Sequence, residues 1–214
     1  MRILLLCLTM IWFTPAEAQR RLGGEPGKFD FYVLALSWSP SFCEGRERRG
    51  MQCAGDKPFS FVVHGLWPQF TKGFPEFCSV PAPELDRRTV SNMLDIMPSP
   101  NLVKHEWEKH GTCSGLSQYT YFENVRKARA AVKIPAKYEN PQEFITVSPQ
   151  EMEEDFIKAN PNLKHDMIAV QCNRNRVSEI RVCLSKEFRF MTCEETDKRA
   201  CRTDKLTLPP ARRG

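Results

Sequence analysis

Cysteine restricts this chain more than any other residue type. The sequence holds nine. Cys7 lies in an N-terminal run made of Met1-Arg2, the apolar stretch Ile3 to Phe13, and Thr14-Pro15-Ala16-Glu17-Ala18. A basic start, a short apolar core and an Ala-x-Ala ending describe a secretory signal peptide over residues 1–18, cut after Ala18. The run is too short to cross a bilayer, which takes about 20 apolar residues, and no later stretch approaches that length, so no membrane anchor is expected. The remaining eight (Cys43, Cys53, Cys78, Cys113, Cys172, Cys183, Cys193 and Cys201) form an even set suited to four disulfides in an oxidising compartment. No Cys-x-x-Cys pair occurs among them, which argues against structural zinc and dithiol redox chemistry. Spacing alone leaves about 105 connectivities open. The chain thus reads as a secreted or periplasmic protein, with residues 19–214 long enough to bury the core of one domain.

The pattern along the chain is that of an α+β domain with a central, mainly antiparallel sheet packed with helices. Phe29 to Trp38 is almost wholly apolar, aromatic and β-branched, fitting a strand buried on both faces. Phe59 to Val63 reads as a second buried strand that delivers His64 at its end. Residues 70–83 form a Phe- and Pro-rich loop. Helices are expected over Glu84 to Met97, around His105, over Gln118 to Lys133 with Tyr119, Phe122, Val125 and Ala128 facing inward, and from the capping box Ser148-Pro149-Gln150-Glu151 to about Asn160. Three short β-like runs follow: Met167 to Cys172, Val177 to Leu184 and Phe188 to Cys193. The tail Thr203 to Gly214 is expected to fray. His165 has no partner cluster and reads as structural or exposed. Nothing argues for an oligomer, so a monomer is expected.

Chemistry concentrates in Lys104-His105-Glu106-Trp107-Glu108-Lys109-His110, which carries two of the four histidines. On a helix advancing about 100° per residue, His105, Lys109, Glu106 and His110 share one face, and Trp107 lies behind them. Titratable groups crowded this closely shift one another's pKa values, although a solvated face of Glu–Lys pairs would look similar. His64 tips the balance toward a site, because Gly65 and Pro68 fix an unusual backbone beside it. Trp67 is either core or a platform for a base. A zinc site is disfavoured: His105 and His110 are separated by five positions and about 140°, with Lys109 between them, whereas metal-binding pairs sit at i and i+4. No Gly-x-Ser-x-Gly elbow and no free thiol suggest nucleophilic catalysis. Two histidines, a lysine and a glutamate without metal or cofactor suit RNA cleavage by transesterification. One neutral histidine removes the 2′-OH proton, a charged one protonates the leaving 5′-oxygen, and an ammonium steadies the phosphorane. DNA, lacking the 2′-OH, would not be cut. The net charge of +5 is compatible with an anionic partner but weak evidence for one.

His64-Gly65-Leu66-Trp67-Pro68 and His105-Glu106-Trp107-Glu108-Lys109-His110-Gly111-Thr112-Cys113 resemble the two active-site segments of the ribonuclease T2 family. Leu34-Ala35-Leu36-Ser37-Trp38-Ser39-Pro40 and the C-terminal cysteines agree, so the resemblance covers roughly residues 29–201. It implies a ribonuclease T2-like endoribonuclease acting on single-stranded RNA, with His110 as base, His64 as acid, His105 holding phosphate, Glu106 and Lys109 stabilising the transition state, and Trp67 in a base-binding site. It also implies the bridges Cys43–Cys53, Cys78–Cys113, Cys172–Cys201 and Cys183–Cys193. Two departures stand out. Ser37 precedes Trp38 where many members have glutamine, and Gln69 replaces an acidic residue that some members use to read the base. Low base specificity is therefore expected, in a bacterial rather than a plant member. A non-catalytic binding protein of the same fold is the alternative, but it would be expected to lack one of the five active-site residues.

Overall fold

β1 (Phe31–Trp38) is the strand on which the rest is assembled. Its alternate residues serve two sheet faces. Tyr32, Leu34, Leu36 and Trp38 point into the main core, while Phe31 and Val33 form a smaller cluster on the opposite face with Cys183 and Cys193. Burial on both faces is what its unbroken apolar run requires. The computed structural model describes residues 23–44, 50–54, 57–198 and 200–211. The expected signal peptide, part of the loop from Glu44 to Lys57 and the last three residues lie outside them.

β1 pairs antiparallel with β2 (Phe61–Gln69) on one side and with β5 (Arg176–Leu184) on the other. β4 (Ile168–Asn173) forms an antiparallel hairpin with β5. β6 (Leu206–Leu208) meets β5 in parallel and β3 (Ile145–Val147) antiparallel, giving the order β2-β1-β5-β6-β3. The sheet is mainly antiparallel, as expected. Short helices α1 (Ser39–Cys43) and α2 (Met51–Ala54) follow β1, and the longer α4 (Pro100–Lys109), α5 (Gln118–Ala131) and α6 (Pro149–Ala159) complete the domain with α3 (Arg87–Ser91) and α7 (Glu194–Asp197). α6 opens with the capping box foreseen from sequence: Glu151 N donates to Ser148 Oγ at 3.1 Å, and Ser148 N donates to Glu151 Oε2 at 2.7 Å.

Several expectations need correcting. β2 does not stop at Val63 but runs through Trp67 to Gln69, so His64 lies inside a strand. The helix expected over Glu84 to Met97 shrinks to α3, because Asp86 caps it by accepting from Thr89 N at 2.8 Å, and Ile96 O is taken by Val63 N at 2.8 Å. In α5, Tyr119 is exposed; Tyr121 takes the inward position in line with Val125 and Ala128, its hydroxyl donating to Leu66 O at 2.9 Å. Phe188 to Cys193 forms only an isolated bridge, Leu184 with Phe190, because the chain doubles back between Ser185 and Arg189. Over its described residues, up to Ala211, the tail is not frayed: Leu206, Leu208 and Ala211 are buried, and Trp38 Nε1 donates to Pro209 O at 3.1 Å. His165 is exposed beside Glu153.

All four bridges have the connectivity that the resemblance implied: Cys43–Cys53, Cys78–Cys113, Cys172–Cys201 and Cys183–Cys193.

Candidate active site

A β-bulge aims His64. Leu36 pairs with Val63 and Ala35 with Gly65, which leaves His64 as the extra residue on its strand. Val63 and Leu66 can both reach the main core only because of that insertion, since an unbroken strand would send them to opposite faces. Beyond the bulge, Trp67 lies opposite Val33, on the side away from the main core. On the other flank of β1, Glu179 pairs with Ser37, Arg181 with Ala35 and Cys183 with Val33, so Glu179 and Arg181 share that side.

α4 supplies the rest. Ser99 caps it by accepting from Leu102 N, Pro100 occupies its first turn, and Trp107 is buried behind it with its indole N–H donating to Pro83 O at 2.8 Å. His105, Glu106, Lys109 and His110 border one cleft of about 330 Å³, together with His64, Trp67, Gln69, Phe74 and Arg181. The structure thus brings together all six site residues named from sequence. His105 is exposed at the rim, whereas Glu106 is only 1% exposed and His110 5%. Lys109 Nζ lies 3.6 Å from Glu76 Oε2, and Lys109 O accepts from Phe77 N at 2.8 Å, which ties the 70–83 loop to the end of α4. The Cys78–Cys113 bridge fastens the same loop to the turn Gly111–Ser114 that follows.

Trp67 is the centre of the polar network. Its indole N–H donates to Glu106 Oε2 at 2.7 Å, its ring stacks on His110 at 5.3 Å between centroids, and His64 meets it edge-on at 5.2 Å. Gly65 makes this possible: a Cβ there would lie 1.9 Å from Glu106 Oε2 and 2.4 Å from Trp67 Nε1. Arg181 lies over the same indole, 5.2 Å from its centroid.

The two central histidines occupy opposite environments. His64 Nδ1 is 3.0 Å from Glu179 Oε2, and its Nε2 is 3.7 Å from Glu106 Oε1. Burial pulls the His64 pKa down, but the Glu179 hydrogen bond and the charges of Glu106 and Glu179 outweigh it, leaving the pKa above the ordinary value. Burial first, then the charges of Lys109, His64 and His105, push His110 down to about 2. Among the described residues, His110 Nδ1 is buried without a hydrogen-bond partner, so an imidazolium there would bury an unpaired charged donor. Burial raises Glu106 to about 7 against the opposing pull of His64, the Trp67 hydrogen bond and Lys109.

Glu179, Arg181 and Glu76 were missed from sequence. Glu179 is 7% exposed and gripped by Arg181, with Nε at 2.7 Å and Nη2 at 2.5 Å from Oε1. A signal existed: Glu179 and Arg181 are opposite charges two residues apart, hence on one face of the strand. Glu76 left no such trace. Among the described residues, no three His, Cys, Asp or Glu side chains are grouped to hold a metal ion.

The family model described as Ribonuclease T2 family matches residues 29–193. A ribonuclease of Aeromonas hydrophila is 39% identical over 135 residues, covering 63% of this chain and 60% of the relative. A probable ribonuclease of Haemophilus influenzae is 34% identical over 179 residues, covering 77% of this chain and 61% of the relative. The chain therefore spans about three-fifths of the length of these two curated relatives. Among solved structures, an RNase-related protein from Calystegia sepium superposes with a TM-score of 0.69 at 19% identity, covering 86% of this chain and 98% of that one, a likeness of fold.

Proposed function

Because this chain belongs to the ribonuclease T2 family, we propose that it is an endoribonuclease that cuts single-stranded RNA by transesterification, without a metal ion and with little base preference. One observation carries the proposal: two imidazoles border a single cleft with their pKa values pushed in opposite directions, His64 upward and His110 downward. Acid–base catalysis of a displacement needs that pair of states at one pH.

The roles follow from the environments. His110, neutral, accepts the 2′-hydroxyl proton as the 2′-oxygen attacks phosphorus. His64, charged and held through Nδ1 by Glu179, donates its Nε2 proton to the departing 5′-oxygen. The P–O5′ bond breaks and a 2′,3′-cyclic phosphate remains. In the second step the two histidines exchange roles: His64 takes a proton from water, the hydroxyl oxygen attacks phosphorus, and His110 protonates the 2′-oxygen to leave a 3′-phosphate. Lys109, with His105 beside it at the rim, would meet the phosphate oxygens, where the lysine's positive charge is worth most as negative charge builds. Glu106 steadies the His64 imidazolium at 3.7 Å and holds the Trp67 indole in place for a base to stack on. Gln69, whose amide donates to Pro68 O at 3.0 Å, replaces a fixed acidic group at the cleft and supports low base selectivity.

Four disulfides support action outside the cytoplasm, in the periplasm or medium, with the mature chain starting at Gln19 after removal of the signal peptide. The test is to incubate oxidised residues 19–214 with single-stranded RNA and matched DNA in EDTA and to identify the product ends. RNA cut to 2′,3′-cyclic and then 3′-phosphate ends, with DNA intact, is the expected result. His64→Ala and His110→Ala should each lower turnover by about 10²-fold or more while keeping the wild-type circular dichroism. RNA left whole, or cleavage that EDTA stops and zinc restores, would refute the proposal.

A further inference from the structure

Two cations act on the phosphodiester in this scheme, Lys109 and the charged His64, and each has a carboxylate beside it. Glu179 Oε2 lies 3.0 Å from His64 Nδ1, and Glu76 Oε2 lies 3.6 Å from Lys109 Nζ. Neither carboxylate borders the cleft of Trp67 and His110. Glu179 opens onto a neighbouring cleft of about 660 Å³ beyond His64, and Glu76 stands in the 70–83 loop. Glu179 has an evident task, since it orients His64 and favours its charged form. A lysine ammonium is charged at neutral pH without such help, so the carboxylate at Lys109 calls for a different account.

The loop holds Glu76 in place. Its backbone carbonyl accepts from Gly23 N at 2.9 Å, and the next residue, Phe77, donates its amide to Lys109 O at 2.8 Å. Phe77 takes φ +52, a left-handed conformation rare for a bulky residue, and one position later Cys78 is bridged to Cys113. Gly24 packs so closely on this loop that a Cβ would lie 2.8 Å from Pro75 Cβ. The paired side chains of Lys109 and Glu76 are only 30% and 27% exposed, so water and salt screen them in part. An ammonium bonded to a phosphate oxygen at about 2.8 Å, while 3.6 Å from Glu76, keeps the carboxylate within about 6.5 Å of that oxygen. That separation is inside the Debye length of about 8 Å, so an anion held by Lys109 feels the carboxylate.

We propose that Glu76 is a charge-selecting residue: it lets Lys109 hold a phosphodiester but weakens its hold on a phosphate monoester, so that the final product leaves. The inference rests on the nuclease reading above. RNA and the 2′,3′-cyclic intermediate carry one negative charge on the reacting phosphate. The 3′-phosphate product carries close to two at neutral pH, because its second pKa is about 6. Cations alone would bind that product hardest, since attraction grows with charge. A fixed carboxylate beside the lysine opposes the extra charge and burdens the diester less. The phosphorane also gains charge, but at that moment the 2′-hydroxyl proton has passed to His110, whose added positive charge compensates. The product has no such partner.

The test is calorimetric titration of the oxidised protein with a 2′-deoxynucleoside 3′-phosphate and with its methyl ester. The two differ by close to one charge at neutral pH and, lacking a 2′-OH, are not cut. Glu76→Gln keeps the size of the side chain and removes its charge. It should raise the preference for the monoester over the methyl ester by on the order of fivefold, as screened Coulomb repulsion at this range implies. Glu76→Asp keeps the charge and should keep the wild-type preference. An unchanged preference in Glu76→Gln, or the same rise in Glu76→Asp, would overturn the assignment. So would an equal loss of affinity for both ligands, which would make Glu76 a support for the lysine and nothing more. Any of these results in a protein that cuts RNA as proposed strikes the role of Glu76 alone. A wild type that neither cuts RNA nor binds either ligand removes the nuclease reading as well.

Discussion

At the residue scale the decisive contrast is between two histidines that the sequence presents as equivalent. His64 is clamped by a carboxylate that is itself clamped by Arg181; His110 is stacked on Trp67 with a buried, unpartnered nitrogen. The carboxylate does two things at once: it orients the ring so that Nε2 faces the cleft, and it favours the charged form. Glu179→Gln keeps the shape and an acceptor but removes the charge, so the His64 pKa falls. In the proposed mechanism turnover requires His64 protonated, so activity should be retained at low pH and lost as pH rises through the His64 pKa. The alkaline limb of kcat/KM against pH should therefore move to lower pH in Glu179→Gln. A limb that stays where the wild type has it, or moves upward, would show that Glu179 does not hold the His64 proton.

At the element scale, the site is a crossing between a bulged strand and the end of a helix, and the bulge is what sequence could not display. The run Phe61-Val62-Val63-His64-Gly65-Leu66-Trp67 gives no periodicity that marks which residue is inserted. Pairing with β1 decides it, and pairing is a long-range property. By contrast, α4 was legible, because a helix face can be drawn from its own residues and Trp107 marks its buried side. The Glu84 to Met97 segment failed for the reason β2 did: its apolar spacing is helical, but Ile96 O serves the strand instead of the helix. Between these elements the Cys78–Cys113 bridge, with a sequence separation of 35, joins the loop beside Lys109 to the turn after His110. A loop of that length corresponds to about 4 kcal/mol of stabilisation in the chain-entropy model. Cys78→Ser with Cys113→Ser should lower the urea midpoint accordingly and reduce kcat in conditions where the variant remains folded. Full activity in the folded double variant would confine the bridge to a role in stability.

At the scale of the whole molecule, β1 divides the labour. One of its faces builds the main core, and the other side of the sheet, carrying Phe31, Val33, Trp67, Glu179 and Arg181, floors the clefts. That His64, His105, Glu106, Lys109 and His110 would come together at one cleft was readable because two local segments carry them. Glu179 was not, because it enters from β5, more than a hundred residues from His64 in sequence, and only the sheet order β2-β1-β5 brings it there. The tail was misjudged in the same way, since Leu206 to Leu208 is too short a run to announce a strand without its partners β3 and β5. The central claim is that this fold holds two imidazoles over one cleft in opposite protonation states. The most direct test is an NMR titration of the imidazole nitrogens of His64 and His110 in the intact, oxidised protein. The account predicts that His64 stays charged to a pH above 6.5, the ordinary histidine value, while His110 remains neutral throughout the range in which the protein is folded. Ordinary titration of both rings near 6.5, or the reverse order, would contradict it.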